Sequence, residues 1–255
     1  MRANTIGFYT LFTKEVWRFL KVITQTILTP AVTTLLYLVV FAQILEGRVE
    51  VYEGISYAAF LVPGLVIMAM IQNAFANSSS SLIQSKMNGN LVFVLLAPIS
   101  VWEFYLAFVL ATVVRGLLVG AVVYVAALWF VTLPIHHPAL VLLFAVVGSA
   151  ILGALGVIAG IWASKYDQLA AFQNFIVLPL SFLSGVFYSV HTLPPFWQQA
   201  TFWNPFFYMI DGFRHGVIGV SDVDPWKSLL VCLLFLAVVS AVCLVMLKKG
   251  YKIRG

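Results

Sequence analysis

The sequence predicts an all-α integral membrane protein. It has six transmembrane helices, an N-terminal amphipathic interfacial helix and two re-entrant outer half-helices. Three observations predict this. Of 255 residues, 62% are hydrophobic and only 9% charged, with a mean hydropathy of +1.03; a soluble domain carries about 25% charged residues. Apolar runs of about 20 residues, the length that crosses a bilayer core, recur along the chain. The aromatic-rich stretch 184–219 is broken by Pro or Gly every few residues. That stretch cannot be a single span, and irregular backbone at membrane depth survives only against protein or water.

Residues 5–21 read as an amphipathic helix lying in the interface plane. Phe8, Leu11, Phe12, Val16 and Phe19 recur at helical spacing, with Lys14, Arg18 and Lys21 largely opposite. A plain juxtamembrane tail is the alternative. The first span covers 26–44, with Pro30 in its first turn. Glu46, Arg48, Glu50 and Glu53 make an acidic loop. The second span starts near Tyr57. Its later half turns polar, with Gln72, Asn73, Asn77, Ser81 and Gln84. Asn73, Asn77, Ser81 and Gln84 share one helical face. Polar groups there serve either helix-to-helix hydrogen bonds or a substrate path.

Residues 83–98 read as a cytoplasmic elbow carrying Lys86, Asn90 and the apolar Leu91 and Phe93, ended by Pro98. The third span covers 101–131 and holds Arg115, a charge that costs several kcal/mol at that depth unless paired or wetted. Glu103, roughly 18 Å away along the helix, cannot be its direct partner. The polar face of Gln72, Asn73 and Asn77, or a wet cavity, is the expected surrounding. Thr112, Gly116 and Gly120 mark a face for close helix approach, as do Ser149, Gly153, Gly156 and Gly160 on the fourth span, 140–163. The fifth span covers 169–188.

The outer segment 189–219 follows. Pro195 and Pro205 each start a short helix, since Pro fits a first helical turn. Trp197, Trp203 and Tyr208 settle at the interface, where their apolar rings are buried and their polar tips wet. Asp211 and Arg214 lie three apart on one face and are expected to pair. The segment is either a cap resting on the membrane or a re-entrant gate; its aromatic content favours insertion. The sixth span covers 226–247.

Lys and Arg sort by side. Arg2, Lys14, Arg18, Lys21, Lys86, Lys165, Lys248, Lys249, Lys252 and Arg254 fall on one side, against Arg48, Arg214 and Lys227 on the other. Excess basic residues mark the cytoplasm. Both termini are therefore expected inside, and the outer segment outside. No cleavable signal peptide is expected, since no small-residue site precedes the first long apolar run.

Several chemistries lack their residues. No Gly-x-x-x-x-Gly-Lys-Ser/Thr loop, His-Glu-x-x-His or Gly-x-Ser-x-Gly occurs, so no catalytic residue is assigned. Cys232 and Cys243 sit roughly 16 Å apart on one helix, too far for a disulfide. Adjacent His136 and His137 point apart, and no metal site is assigned. No basic patch with interleaved aromatics suggests nucleic acid.

Certain motifs carry a resemblance. Residues 57–64 (Tyr-Ala-Ala-Phe-Leu-Val-Pro-Gly), Leu95-Leu96-Ala97-Pro98-Ile99 and Ser184-Gly185-Val186-Phe187-Tyr188 are three of them. Leu193-Pro194-Pro195-Phe196-Trp197, Asn204-Pro205, Tyr208 and Gly212-Phe213-Arg214 complete the set. Over essentially all of 1–255 the chain resembles the permease subunits of ABC-2 type transporters. The resemblance implies one transmembrane domain that dimerises, here as a homodimer, and docks separate cytoplasmic ATPase subunits. Those partners would bind ATP and Mg, leaving no cofactor in this chain. It implies outward movement of a hydrophobic or lipid-linked substrate (a glycolipid, lipo-oligosaccharide or drug) across the cytoplasmic membrane, in contact with lipid. In that frame Lys14, Arg18, Lys86, Asn90, Leu91 and Phe93 couple to the ATPase. Pro195, Pro205, Tyr208, Asp211 and Arg214 form the outer gate. One departure is that Leu91, Val92 and Phe93 stand where the family often has a Glu. A self-sufficient secondary transporter is the alternative, although such proteins often carry coupling acids at midplane breaks.

Overall fold

The computed structural model describes residues 4–42 and 51–252. Arg2, Glu46, Arg48, Glu50 and Arg254 lie outside the described residues. Helix α1 (Thr5–Leu20) is capped by Asn4, whose side chain accepts from the Gly7 amide. The Asn4 amide donates to Glu103 at 2.6 Å, which fastens the start of α1 to a later helix. The buried stripe of α1 is Leu11, Glu15 and Phe19. It therefore contains an acid, while Ile6, Tyr9 and Trp17 face outward.

Helix α2 (Ile23–Tyr37) runs on through a π turn, Leu38–Ala42. Pro30 lies in its interior rather than its first turn, because the helix begins three residues earlier than expected. Helix α3 (Tyr57–Met87) has 31 residues and is buried along most of its length. At 1.5 Å per residue it spans about 46 Å, well over a hydrocarbon core, so its last turns project beyond one. Residues 83–87 thus belong to α3. The elbow is shorter than expected, a turn at 88–90 with Gly89 at φ +71° followed by α4 (Leu91–Leu96).

Helix α5 (Val101–Ala127) opens with a capping box between Ser100 and Glu103, which satisfies two orphan amides. It stops short of 131. Helix α6 (Pro138–Trp162) starts on its proline. The glycine stripes do the packing. A side chain at Gly116 would run into Ser149, one at Gly153 into Thr112, one at Gly156 into Ser78 and the Phe75 carbonyl, and one at Gly160 into Leu82. Helices α3, α5 and α6 thereby close to backbone distance, and Ser78 Oγ donates to the Gly153 carbonyl at 2.7 Å.

The expected fifth span is not one uninterrupted helix. It consists of α7 (Tyr166–Phe172), a π turn (Gln173–Val177) and α8 (Leu178–Phe182). Pro179 offers no amide to the preceding turn, and the π turn lies just before it. Helicity ends near Leu183, with Gly185 at φ +74°. Among the described residues five helices are therefore long and apolar enough to cross a membrane: α2 with its π turn, α3, α5, α6 and α11 (Pro225–Lys249).

Between α8 and α11 lie α9 (Pro195–Phe202) and α10 (Pro205–Ile218), each with Pro in its first turn. Gly212 faces Phe144 and Gly216 faces Val141, while Gly148 approaches Met209. Helix α10 therefore runs antiparallel to the first half of α6. Gly148 is the eleventh residue of α6, so Met209 lies roughly 15 Å from the α6 start and Pro205, four residues earlier, roughly 21 Å from it.

Candidate functional site

A cluster of polar side chains sits where α1, α3 and α5 meet. Arg115 Nη2 donates to Asn73 Oδ1 at 3.0 Å and its Nη1 to Asn77 Oδ1 at 3.4 Å. Arg18 reaches in from α1. Its Nη2 lies 2.6 Å from both the backbone and side-chain carbonyls of Asn77, and its Nε pairs with Glu15 at 3.2 Å. Lys14 holds the other Glu15 oxygen at 3.0 Å. Arg18 is thus turned into the bundle, and its guanidinium is committed there. Glu15, which is fully buried, was not singled out from the sequence. Its signal was being the sole acid in a basic amphipathic helix.

This network borders a cleft of about 640 Å³. Helix α2 contributes Gln25, Thr26, Thr29, Thr33 and Thr34, α3 contributes Gln72 and Asn73, and the π turn contributes Gln173. Arg18 and Arg115 line it, and among the described residues no Asp or Glu does. Hydroxyls and amides from three helices facing one volume form a hydrophilic surface inside an otherwise apolar bundle, where such groups need partners or water.

At one end of the bundle, Lys86 Nζ donates to the carbonyls of Ile161 at 2.8 Å and Ala163 at 2.6 Å. It therefore closes the α6 C-terminus, a place suited to a cation. Asn90 is exposed. Leu91 is buried, whereas Val92, Phe93 and Leu96 project outward, Phe93 being 73% exposed.

At the opposite end the expected Asp211–Arg214 ion pair does not form. Asp211 instead accepts from the backbone amides of Asp222 and Val223, at 2.8 and 3.0 Å. Arg214 makes its hydrogen bond elsewhere. Its Nη2 donates to the Gly185 carbonyl at 2.6 Å, and its guanidinium lies 3.9 Å from the centre of the Phe60 ring, a cation–π geometry. The loop that folds back over α10 presents two amides to Asp211, and these hold it in place of the arginine. Asp222 is the second centre. It accepts from Tyr52 Oη at 2.6 Å, Ser189 Oγ at 2.5 Å and the Val190 amide at 2.8 Å. Burial, then the Asp222 bond, raises the Tyr52 phenol, which keeps it a neutral donor. Nothing in the sequence marks Asp222, because its partners lie 170, 33 and 32 residues away.

Pro195 is exposed at the start of α9 and Pro205 half-buried at the start of α10. Tyr208 Oη donates to the Phe202 carbonyl at 3.0 Å. Phe206, Phe207 and Phe213 are buried against the bundle, while Phe196 and Trp203 face outward. The same end holds the stacked rings of His137 and His215, 5.5 Å apart. The His137 amide binds the Gly216 carbonyl at 2.8 Å, which ties the α5–α6 loop to α10.

A bundle of long apolar helices around a polar cleft, polar-bonded at both ends, defines a multi-pass membrane transport protein. The profile of the ABC-2 type transporter family matches residues 7–218. The inner membrane transport permease YadH of Escherichia coli K12 is 34% identical over 255 residues, covering 100% of both chains. YadH of Shigella flexneri matches to the same extent. The chain belongs to the ABC-2 type transporter family and is a membrane transport permease, as its motifs suggested.

Proposed function

We propose that this chain is the permease subunit of an ABC exporter of the inner membrane. It moves a hydrophobic or lipid-linked substrate outward and is powered by a separate cytoplasmic ATPase. The observation that carries this reading is the joining of the polar cleft to the interfacial helix through Arg18 and Asn77. A helix lying on the cytoplasmic surface and bonded directly to the cleft wall gives an external motor a handle on the transport path.

The broken run through α7 and α8 counts as the sixth crossing. Its 17 residues reach about 25 Å, near the hydrocarbon thickness. Both termini, the Lys86 end and α4 lie in the cytoplasm, where basic residues collect. Helices α9 and α10 re-enter from outside, and α10 starts at mid-depth and rises beside α6. Two copies pair as a homodimer with their clefts on a common path. ATP and Mg bind the partner subunit. A secondary transporter often carries coupling acids on its path, and among the described residues the cleft lining contains none.

Coexpression with an ATPase whose gene neighbours its own tests the reading. Joint purification, with Asn90→Cys crosslinking to that ATPase, supports it. A chain that purifies alone and transports on an ion gradient overturns it.

A further inference from the structure

The cleft has a one-sided chemistry. Glu15 is committed to Lys14 and Arg18, and Arg18 spends its remaining donors on Asn77 and Ser80. Arg115 is left with two neutral side-chain amides, and among the described residues no carboxylate pairs with it. Two buried polar atoms on residues lining the cleft have no partner, Arg115 Nε and Gln72 Nε2. Both are donors. A buried donor left unmade costs free energy, and a guanidinium at membrane depth costs more. The surplus of this cleft is therefore positive charge and N–H groups, and what meets it is an acceptor-rich anion. The walls also include the apolar Leu65, Met68 and Tyr37, which suit the hydrocarbon part of an amphiphile.

We infer that the cleft selects an amphiphile with an anionic head group, a phosphate or a carboxylate, and that Arg115 and Gln72 read that head. A planar guanidinium whose Nη atoms are held by Asn73 and Asn77 is oriented before the ligand arrives, which lowers the cost of binding. The inference rests on the cleft being the transport path.

Saturable binding to the full chain in nanodiscs of neutral phosphatidylcholine, measured against empty nanodiscs, tests it. The probes are dodecyl phosphate, laurate, dodecyl maltoside, dodecyltrimethylammonium and inorganic phosphate. Dodecyl phosphate and laurate should bind, and the stronger of the two identifies the head group. Arg115→Gln should weaken that binding about tenfold or more, and Arg115→Lys by less. The comparison among probes on the unaltered chain stands even where a variant fails to fold. Equal or preferential binding of the neutral or cationic amphiphile would overturn the anionic assignment and leave the transport path standing. Inorganic phosphate competing as well as dodecyl phosphate would reduce the site to one for a free anion and overturn the amphiphile. An absence of saturable binding by every probe would remove both the inference and the path.

Discussion

The guanidinium of Arg18 grips Asn77 twice, with one nitrogen 2.6 Å from its backbone carbonyl and 2.6 Å from its side-chain carbonyl. One residue belongs to the N-terminal helix α1 and the other to α3, the most buried of the long helices. Because Asn77 also accepts from Arg115, a displacement of α1 reaches the cleft wall through a single side chain. This is a physical connection between α1 and the interior of the bundle.

Removing one partner of a buried pair leaves the other charge uncompensated, at a cost of about 3 kcal/mol. Glu15→Ala should therefore lower the thermal midpoint of the purified chain clearly more than Lys14→Ala, since Lys14 is half exposed and Arg18 is not. The double variant Glu15→Ala with Arg18→Ala should recover part of the loss. A double variant no more stable than Glu15→Ala alone would show that the pair does not act as a unit.

The end that carries Lys86 and α4 separates stability from the proposed docking. Lys86→Met should destabilise the chain by about 1 kcal/mol through the lost closure of the α6 C-terminus, while leaving Asn90→Cys crosslinking to an ATPase intact. Phe93→Asp should do the reverse, because its ring is exposed and supports no core. Copurification yield and thermal midpoint, read together, decide it; loss of crosslinking in Lys86→Met would place that lysine in the docking contact instead.

Accessibility should divide the outer segment by burial. Single cysteines at Phe196 and Trp203 should react from outside with a membrane-impermeant maleimide, and those at Phe206, Phe207 and Phe213 should resist it. Uniform reaction across all five positions would favour a solvated cap over a re-entrant hairpin, and reaction from the cytoplasm would invert the topology. Asp211→Ala should raise reactivity throughout α10, since it strips the acceptor from two loop amides, at about 2 kcal/mol.

The His137–His215 stack should give its end of the bundle a pH dependence. Burial, then the neighbouring His137, holds His215 below the usual histidine range, with Asp224 opposing; Ser221 Oγ is its hydrogen-bond partner at 3.1 Å. A histidine whose folded-state pKa is depressed leaves the unfolded chain binding more protons as pH falls. Its contribution to stability is therefore whole above about pH 6.5 and declines below it. Thermal midpoints from pH 7.5 down to 5.5 should fall, and His215→Gln should flatten that slope. An unchanged slope in His215→Gln would assign the pH dependence elsewhere.

Periodicity and local stereochemistry wrote much of the fold into the chain. Apolar run length announced the membrane helices, Pro195 and Pro205 announced two helix starts, and the Gly153–Gly156–Gly160 stripe announced a close helix contact. Each of these depends on residues within a turn or two of one another, so composition and spacing suffice to read them. The partners of buried polar groups are another matter. Asp211 and Arg214 are neighbours on one helix, yet one accepts from two amides of a returning loop and the other donates to the Gly185 carbonyl. Lys86 reads as a surface cation and is consumed by the end of α6. Glu15 looks like one charge among many on an amphipathic helix and is the buried counter-ion of Arg18. The interruption at Gln173–Val177 appears only as a span that ought to have continued. A hydrogen bond or ion pair is decided by which groups the fold brings within about 3 Å, and groups tens of residues apart in sequence acquire that distance only when the helices pack.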